Sequence, residues 1–174
     1  MQEKQITFQN LHNNPKTAIE NIKNNRTPIT ILCDHMTDPR NVGSLFRLAD
    51  AARLEELLFL SDPTFEITPK INKISRQTIQ YVPHRILHDT AALSAFTATH
   101  HIVALEYTNK SIPYTEFKTD QPILLLLGNE QTGLSDELLA FATTSIHLPM
   151  LGINSSMNVA MAAGIGVYGL LKND

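Results

Sequence analysis

The chain has a single cysteine among 174 residues. No intrachain disulfide can form, which fits a reducing compartment and leaves the fold to its core. That cysteine, Cys33, lies in the apolar run ITILCD, where a buried, inert thiol is expected rather than a nucleophile. The polar start, MQEKQITFQN, lacks the apolar stretch of a signal peptide. The longest uncharged segment, Leu151 to Leu171, is interrupted by Asn154, Ser155, Ser156 and Asn158, and its apolar part is too short to span a bilayer. A cytoplasmic protein with no membrane partner is expected. Metal ligands are also scarce: His84 and His88 share helical spacing, but Pro83 disfavours a helix there and no third ligand is evident. No metal site is expected. The formal net charge of −3 argues against gripping a polyanion by bulk charge, so the distribution of charge matters more than its sum.

Hydrophobic residues make up 43% of the chain and charged residues 18%, which is ordinary globular composition for one domain spanning 1–174. Short apolar runs alternate with helix-like segments. Pro15 after Asn14 opens a first helix, so residues 1–27 read as a short helical extension. PITILCD, EELLFLS, VPHRIL, HIVALEY, ILLLLG and SIHLP read as strands. NVGSLFRLADAA and DTAALSAFTATH read as helices, Ser135 caps another, and a last one runs from near Ser155 to Leu171. Strands that are apolar throughout are buried on both faces, and their alternation with helices implies a mainly parallel α/β sheet flanked by helices. Ligands of such sheets sit beyond the carboxyl ends of the strands. That rule gathers CDHMTDPRN, EYTNK, GNEQTG and PMLGINSS around one rim.

Two glycine patterns mislead. GNEQTGLS follows a buried strand and nearly matches a phosphate loop, but Leu134 stands where the phosphate-reaching Lys is required. GIGVYG, Gly164 to Gly169, is a literal G-x-G-x-x-G, yet it lies inside the last apolar helix rather than between a strand and a helix. Its small residues suit a close helix contact, in the core or across a dimer interface. A basic stretch is more informative. From Ile67 to His88 the chain carries Lys70, Lys73, Arg76 and Arg85 and no acid. Lys70, Lys73 and Arg76 would share one face of a helical turn, as a solvated surface or a phosphate-binding one.

Three rim stretches remain: DPRNVGSLFRLADA, LLGNEQTG and LPMLGINSSMNVA. In the first, Asn41 is placed to cap the helix while Arg47, about two turns on, faces the rim. Together the stretches resemble the three motifs of the SpoU/TrmH family of RNA ribose 2′-O-methyltransferases, in the SPOUT superfamily. Asn41, Gly43, Arg47 and Ala49 match the first motif, Gly128, Glu130 and Gly133 the second, and Pro149, Ser156 and Asn158 the third. Order and spacing match from Ile29 to Leu171. Two features differ from the family: no glycine stands in SRQTIQYVPH, and only about 27 residues precede the first strand, short for a separate RNA-binding domain.

The resemblance implies S-adenosylmethionine (SAM) as methyl donor, a homodimer, and a C-terminal trefoil knot. It implies a cofactor site at Leu105, Gly128, Leu148 and Met157, with the glycines of GNEQTGLS making room for the ligand. It implies Arg47 as the group that assists the ribose hydroxyl, with Asn41, Ser156 and Asn158 orienting it and Glu130 organising the loop. RNA, as tRNA or rRNA, is the implied partner, held partly by Lys70, Lys73, Arg76 and Arg85. A catalytically silent RNA-binding protein of the same fold and a P-loop-like phosphate binder are the rival readings.

Overall fold

The computed structural model describes residues 6–7 and 14–171. Within the expected N-terminal extension, residues 1–5 and 8–13 lie outside the described residues. Helix α1 spans Pro15–Asn24, with the Asn14 carboxamide accepting from the Thr17 amide at 3.3 Å. There follow β1 (Thr27–Asp34), α2 (Pro39–Ala51), β2 (Leu54–Leu60), α3 (Pro69–Ile74) and β3 (His84–Leu87). The second half supplies α4 (Ser94–Thr97), β4 (His101–Leu105), β5 (Ile112–Pro113) and β6 (Ile123–Leu127). It ends with α5 (Asp136–Phe141), β7 (Thr144–His147) and α6 (Val159–Leu170).

Seven strands form one sheet in the order β3-β2-β1-β6-β4-β7-β5, and every neighbouring pair is parallel. The α/β reading holds, with the short edge strand β5 unforeseen. Side-chain alternation sorts the core into two layers. Ile31, Cys33, Leu125 and Leu127 pack with α2, α3 and α6 on one face. Leu32, Leu124 and Leu126 pack with Leu93, Leu134 and Leu138 on the other. All five residues of β6 are buried, and each fully buried leucine contributes about 1.5–3 kcal/mol relative to leaving it exposed.

Strand order fixes where a ligand can enter. The chain leaves β1 through α2 toward β2, but leaves β6 through α5 toward β7, on the other side. Loops that diverge from neighbouring parallel strands open a crevice at their carboxyl ends. β6 and β7 are laid down late, each between strands already formed: β6 between β1 and β4, β7 between β4 and β5.

Several local expectations are corrected. Asp38, not Asn41, caps α2, its carboxylate accepting from the Arg40 amide at 2.8 Å. The last helix starts at Val159, capped by Asn158, rather than near Ser155. The segment read as a helix over DTAALSAFTATH is a 3₁₀ turn, Ala91–Leu93, followed by the short α4. Lys70 and Lys73 lie on α3, but Arg76 lies beyond its end with φ 52°, so the three do not share one helical face. α3 sits against α2 because residue 43 is glycine. A Cβ there would come within 2.6 Å of Ile74 Cγ2 and 3.2 Å of the Ile71 carbonyl oxygen.

Candidate functional site

The loop GNEQTG begins where the apolar strand β6 ends, and it turns back on itself at once. Asn129 and Gly133 exchange backbone hydrogen bonds of 3.0 and 3.1 Å, and Gly133 adopts φ +70° to close the turn. A side chain on Gly128 would overlap the Gly133 carbonyl carbon and the Leu134 amide nitrogen. The loop's own return therefore already requires glycine at 128, whatever ligand lies beside it. Gly128 still lines the cavity described below.

Two buried or half-buried carboxylates pin this loop from neighbouring strands. Asp34, at the end of β1, is 2% exposed and accepts from the Ser135 amide at 2.8 Å and from His35 Nδ1 at 2.7 Å. Glu106, just past β4, accepts from the Leu134 amide at 3.2 Å and the Tyr107 amide at 2.9 Å. His35 takes φ 45° at the end of β1, and its carbonyl accepts from Asn129 Nδ2 at 2.6 Å. Cys33 is buried beneath this rim, and its thiol is pushed up, first by burial and then by the nearby Glu130 and Asp34 carboxylates. It is not poised as a nucleophile.

The three motif stretches meet through one chain of side-chain hydrogen bonds. Asn41 Nδ2 donates to Glu130 Oε1 at 2.9 Å, and Asn158 Nδ2 donates to Asn41 Oδ1 at 2.8 Å. Asn158 Oδ1 accepts from the Ala160 and Met161 amides at 3.0 and 3.2 Å. Both ends of the chain fix its direction. A carboxylate can only accept and helix N–H groups can only donate, so both carboxamides are oriented without ambiguity. Asn41 is 4% exposed, and the glutamate of the flexible-looking loop is thereby tied to the starts of α2 and α6.

Around this chain lies a cavity of about 960 Å³, in the range of small-molecule sites. Most of its lining comes from the four predicted rim stretches. Leu105, Gly128, Leu148 and Met157 all line it, as do Asn41, Glu130, Ser156 and Asn158. Arg47 does not. It is exposed on the outer face of α2, six residues beyond Asn41, and belongs to no wall of its own chain's cavity. Glu106 and Tyr107 line it from the predicted rim stretch EYTNK, although sequence reasoning gave neither a role, and His147, at the end of β7, lies outside the four stretches and was missed. His147 Nδ1 bonds the Ser111 hydroxyl at 2.9 Å, and its ring lies 4.5 Å from that of the exposed Tyr107.

Of the basic stretch, Lys70, Lys73 and Arg76 are exposed. Arg85 is engaged elsewhere: its Nε and Nη2 both donate to the Glu56 carboxylate at 2.7 Å, so its charge is largely matched. Among the described residues no Lys or Arg lines the cavity, and the loop's carboxylate-rich surroundings are unsuited to a phosphate, against the P-loop-like reading. Among the described residues, no group of three or more His, Cys, Asp or Glu side chains is placed to hold a metal, and no helix is long and apolar enough to cross a membrane.

A parallel sheet with late-inserted strands, and a rim cavity built from three hydrogen-bonded stretches, define an α/β protein with a ligand crevice at the carboxyl ends of its strands. The chain belongs to the SpoU rRNA Methylase family, whose profile matches residues 28–168. It is 25% identical over 158 residues to the 23S rRNA (guanosine-2'-O-)-methyltransferase RlmB of Acinetobacter baylyi, covering 89% of this chain and 64% of that protein. It is 26% identical to the tRNA (guanosine(18)-2'-O)-methyltransferase of Escherichia coli K12, covering 80% of this chain and 61% of that one. The chain thus spans about three-fifths of the length of these relatives. Among solved structures, the A. aeolicus TrmH/SpoU tRNA modifying enzyme superposes with a TM-score of 0.80 at 22% identity, over 91% of this chain and 83% of that one, which shows the shared fold. The SpoU methyltransferase AviRb of Streptomyces viridochromogenes in complex with AdoMet superposes with a TM-score of 0.75 at 26% identity, over 82% of this chain and 59% of that one.

Proposed function

We propose that this chain transfers the methyl group of SAM to a ribose 2′-hydroxyl of RNA, tRNA or rRNA, as a cytoplasmic homodimer. The observation that carries the reading is the hydrogen-bonded chain from Glu130 through Asn41 to Asn158, which joins all three family motifs at one wall of the cavity. Family membership and the AdoMet complex of a 26% identical neighbour support it.

The cavity fits the donor chemically. Leu105, Leu148, Met157 and Val159 offer apolar wall to an adenosyl group, and the peptide groups around Gly128 offer hydrogen bonds. SAM supplies an electrophilic methyl on a sulfonium, and what the protein adds is placement. Asn158, held by Asn41, caps α6 and fixes the loop that carries Ser156 and Met157 beside the cavity. Glu130 holds the Asp38 amide as well as Asn41, so it organises the loop rather than reacting.

Arg47 is the assigned partner of the ribose hydroxyl. The role open to a guanidinium there is to stabilise developing alkoxide charge. Since it lies outside its own chain's cavity, the assignment requires that a second copy present Arg47 to it. α6 supports such a pairing: Met161, Ile165 and Tyr168 are 61%, 39% and 49% exposed, in an i, i+4, i+7 stripe beside α2. A C-terminal trefoil knot belongs to this reading, with family membership as its support. Lys70, Lys73 and Arg76 are left as the RNA-facing charges.

The test is calorimetry of SAM on the parent and on Arg47→Ala, with single-turnover transfer of labelled methyl to tRNA and rRNA on the same preparations. Both proteins should bind SAM alike, and the variant should transfer on the order of a hundredfold more slowly. A parent that binds no SAM would sink the reading in favour of the catalytically silent RNA-binding protein.

A further inference from the structure

The cavity lining holds three carboxylates, Asp38, Glu106 and Glu130. One of them, Asp38, is matched by a cation, Arg40, through hydrogen bonds of 2.7 to 3.1 Å. Glu130 keeps its charge but is committed to joining the motifs, accepting from the neutral Asn41 carboxamide and the Asp38 amide. Glu106 also keeps its charge. Among the described residues its recorded partners are two backbone amides, those of Tyr107 and Leu134, which align it without cancelling its charge. These bonds also pin it, since Oε2 is held against the returning loop and lies 2.9 Å from the position a Gly133 Cβ would take. A fixed negative charge therefore faces a cavity that, among the described residues, has no lysine or arginine in its lining.

Resting on the reading of this cavity as the SAM site, we propose that Glu106 sets specificity for the charged methyl donor over its spent product. SAM and S-adenosylhomocysteine share adenosine, ammonium and carboxylate; they differ by one methyl and one positive charge on sulfur. An immobile carboxylate at the cavity wall interacts with that difference whether or not it touches the sulfur, because the field in a low-dielectric cleft reaches beyond contact. The same charge repels phosphate, so the RNA backbone is kept to the exposed Lys70 and Lys73 surface while the cationic donor takes the interior. Once the methyl has left, the product loses the attraction that held the donor, which favours exchange.

The test compares SAM, S-adenosylhomocysteine and sinefungin, in which an amine-bearing carbon replaces the methylsulfonium, by calorimetry on the parent and on Glu106→Gln. Glutamine keeps one acceptor, for the Leu134 amide, but sets its Nε2 amine against the Tyr107 amide, so the charge and one hydrogen bond are removed together, and the product serves as the control for the lost bond. The parent should bind SAM and sinefungin more tightly than the homocysteine product. Glu106→Gln should weaken both cationic ligands on the order of tenfold and leave the neutral-sulfur product nearly unchanged. Equal weakening of all three would make Glu106 a hydrogen-bond partner of the shared adenosyl portion and overturn the proposal, as would no weakening. The parent alone gives a second readout: raising the salt concentration should narrow its preference for SAM over product, and a salt-independent ratio overturns the proposal even if the variant does not fold. A parent that binds none of the three fails the donor-site reading itself, which is distinguishable from a parent that binds all three without preference.

Discussion

At the scale of single residues, the site is decided by which polar atoms have nowhere else to go. Asn41 is nearly buried and sits between an acceptor-only carboxylate and a helix cap, so each neighbour depends on it. Removing it leaves Glu130 and the Asn158 amide each short of a partner, at a cost of about 1–3 kcal/mol. Asn158→Ala should cost about 0.5–2 kcal/mol through the lost cap. Because both variants break the same bond, the double variant should fall short of additivity, with a coupling of about 0.5–3 kcal/mol. Urea unfolding of the four proteins measures this, and strict additivity would mean that the two carboxamides do not communicate.

At the scale of elements, glycines explain how loops and helices come close enough to build a cavity wall. Gly128 is needed because β6 ends directly under the returning backbone of its own loop. Gly128→Ala should therefore lower thermal stability by the equivalent of about 1–3 kcal/mol, even with no ligand present. A variant of unchanged melting temperature that loses only SAM binding would favour the ligand-space reading of that glycine. Gly164, inside α6, gives the contrast, since a Cβ there meets nothing within 4 Å in the chain. Gly164→Ala should leave the isolated chain as stable or stabilise it by about 0.5–1 kcal/mol through the helix propensity of alanine.

At the scale of the whole molecule, one feature separates a finished catalytic site from an unfinished one: Arg47 and the cavity lie apart in a single chain. If copies exchange Arg47, then Arg47→Ala and Asn158→Ala should each be nearly inactive as pure proteins yet regain methyl transfer when co-expressed. A mixed pair would carry one site with both parts intact. Ile165→Glu, on the exposed stripe of α6, should yield monomers by light scattering and abolish transfer while the core stays folded. Transfer by a monomeric Ile165→Glu protein, or failure of the mixed pairs to recover, would return Arg47 to a surface role.

The sequence alone determined much of this protein because several of its signals are local. Unbroken apolar runs such as ILLLL have no stable place except a strand covered on both faces, and Ser135 before Asp136 and Glu137 has a helix start as its natural setting. The rule that parallel sheets bind ligands beyond their carboxyl ends then gathered four stretches that do line one cavity. What it could not supply depended on partners far along the chain. Asn41 looks like a cap until Glu130 and Asn158, 89 and 117 residues away, take its carboxamide and Asp38 takes the helix end. The loop that folds back onto Gly128, and the Glu56 carboxylate on the adjacent strand that pairs with Arg85, were equally out of reach. Hydrogen bonds and close approaches between distant segments have no periodicity to read, so only the tertiary structure could assign them.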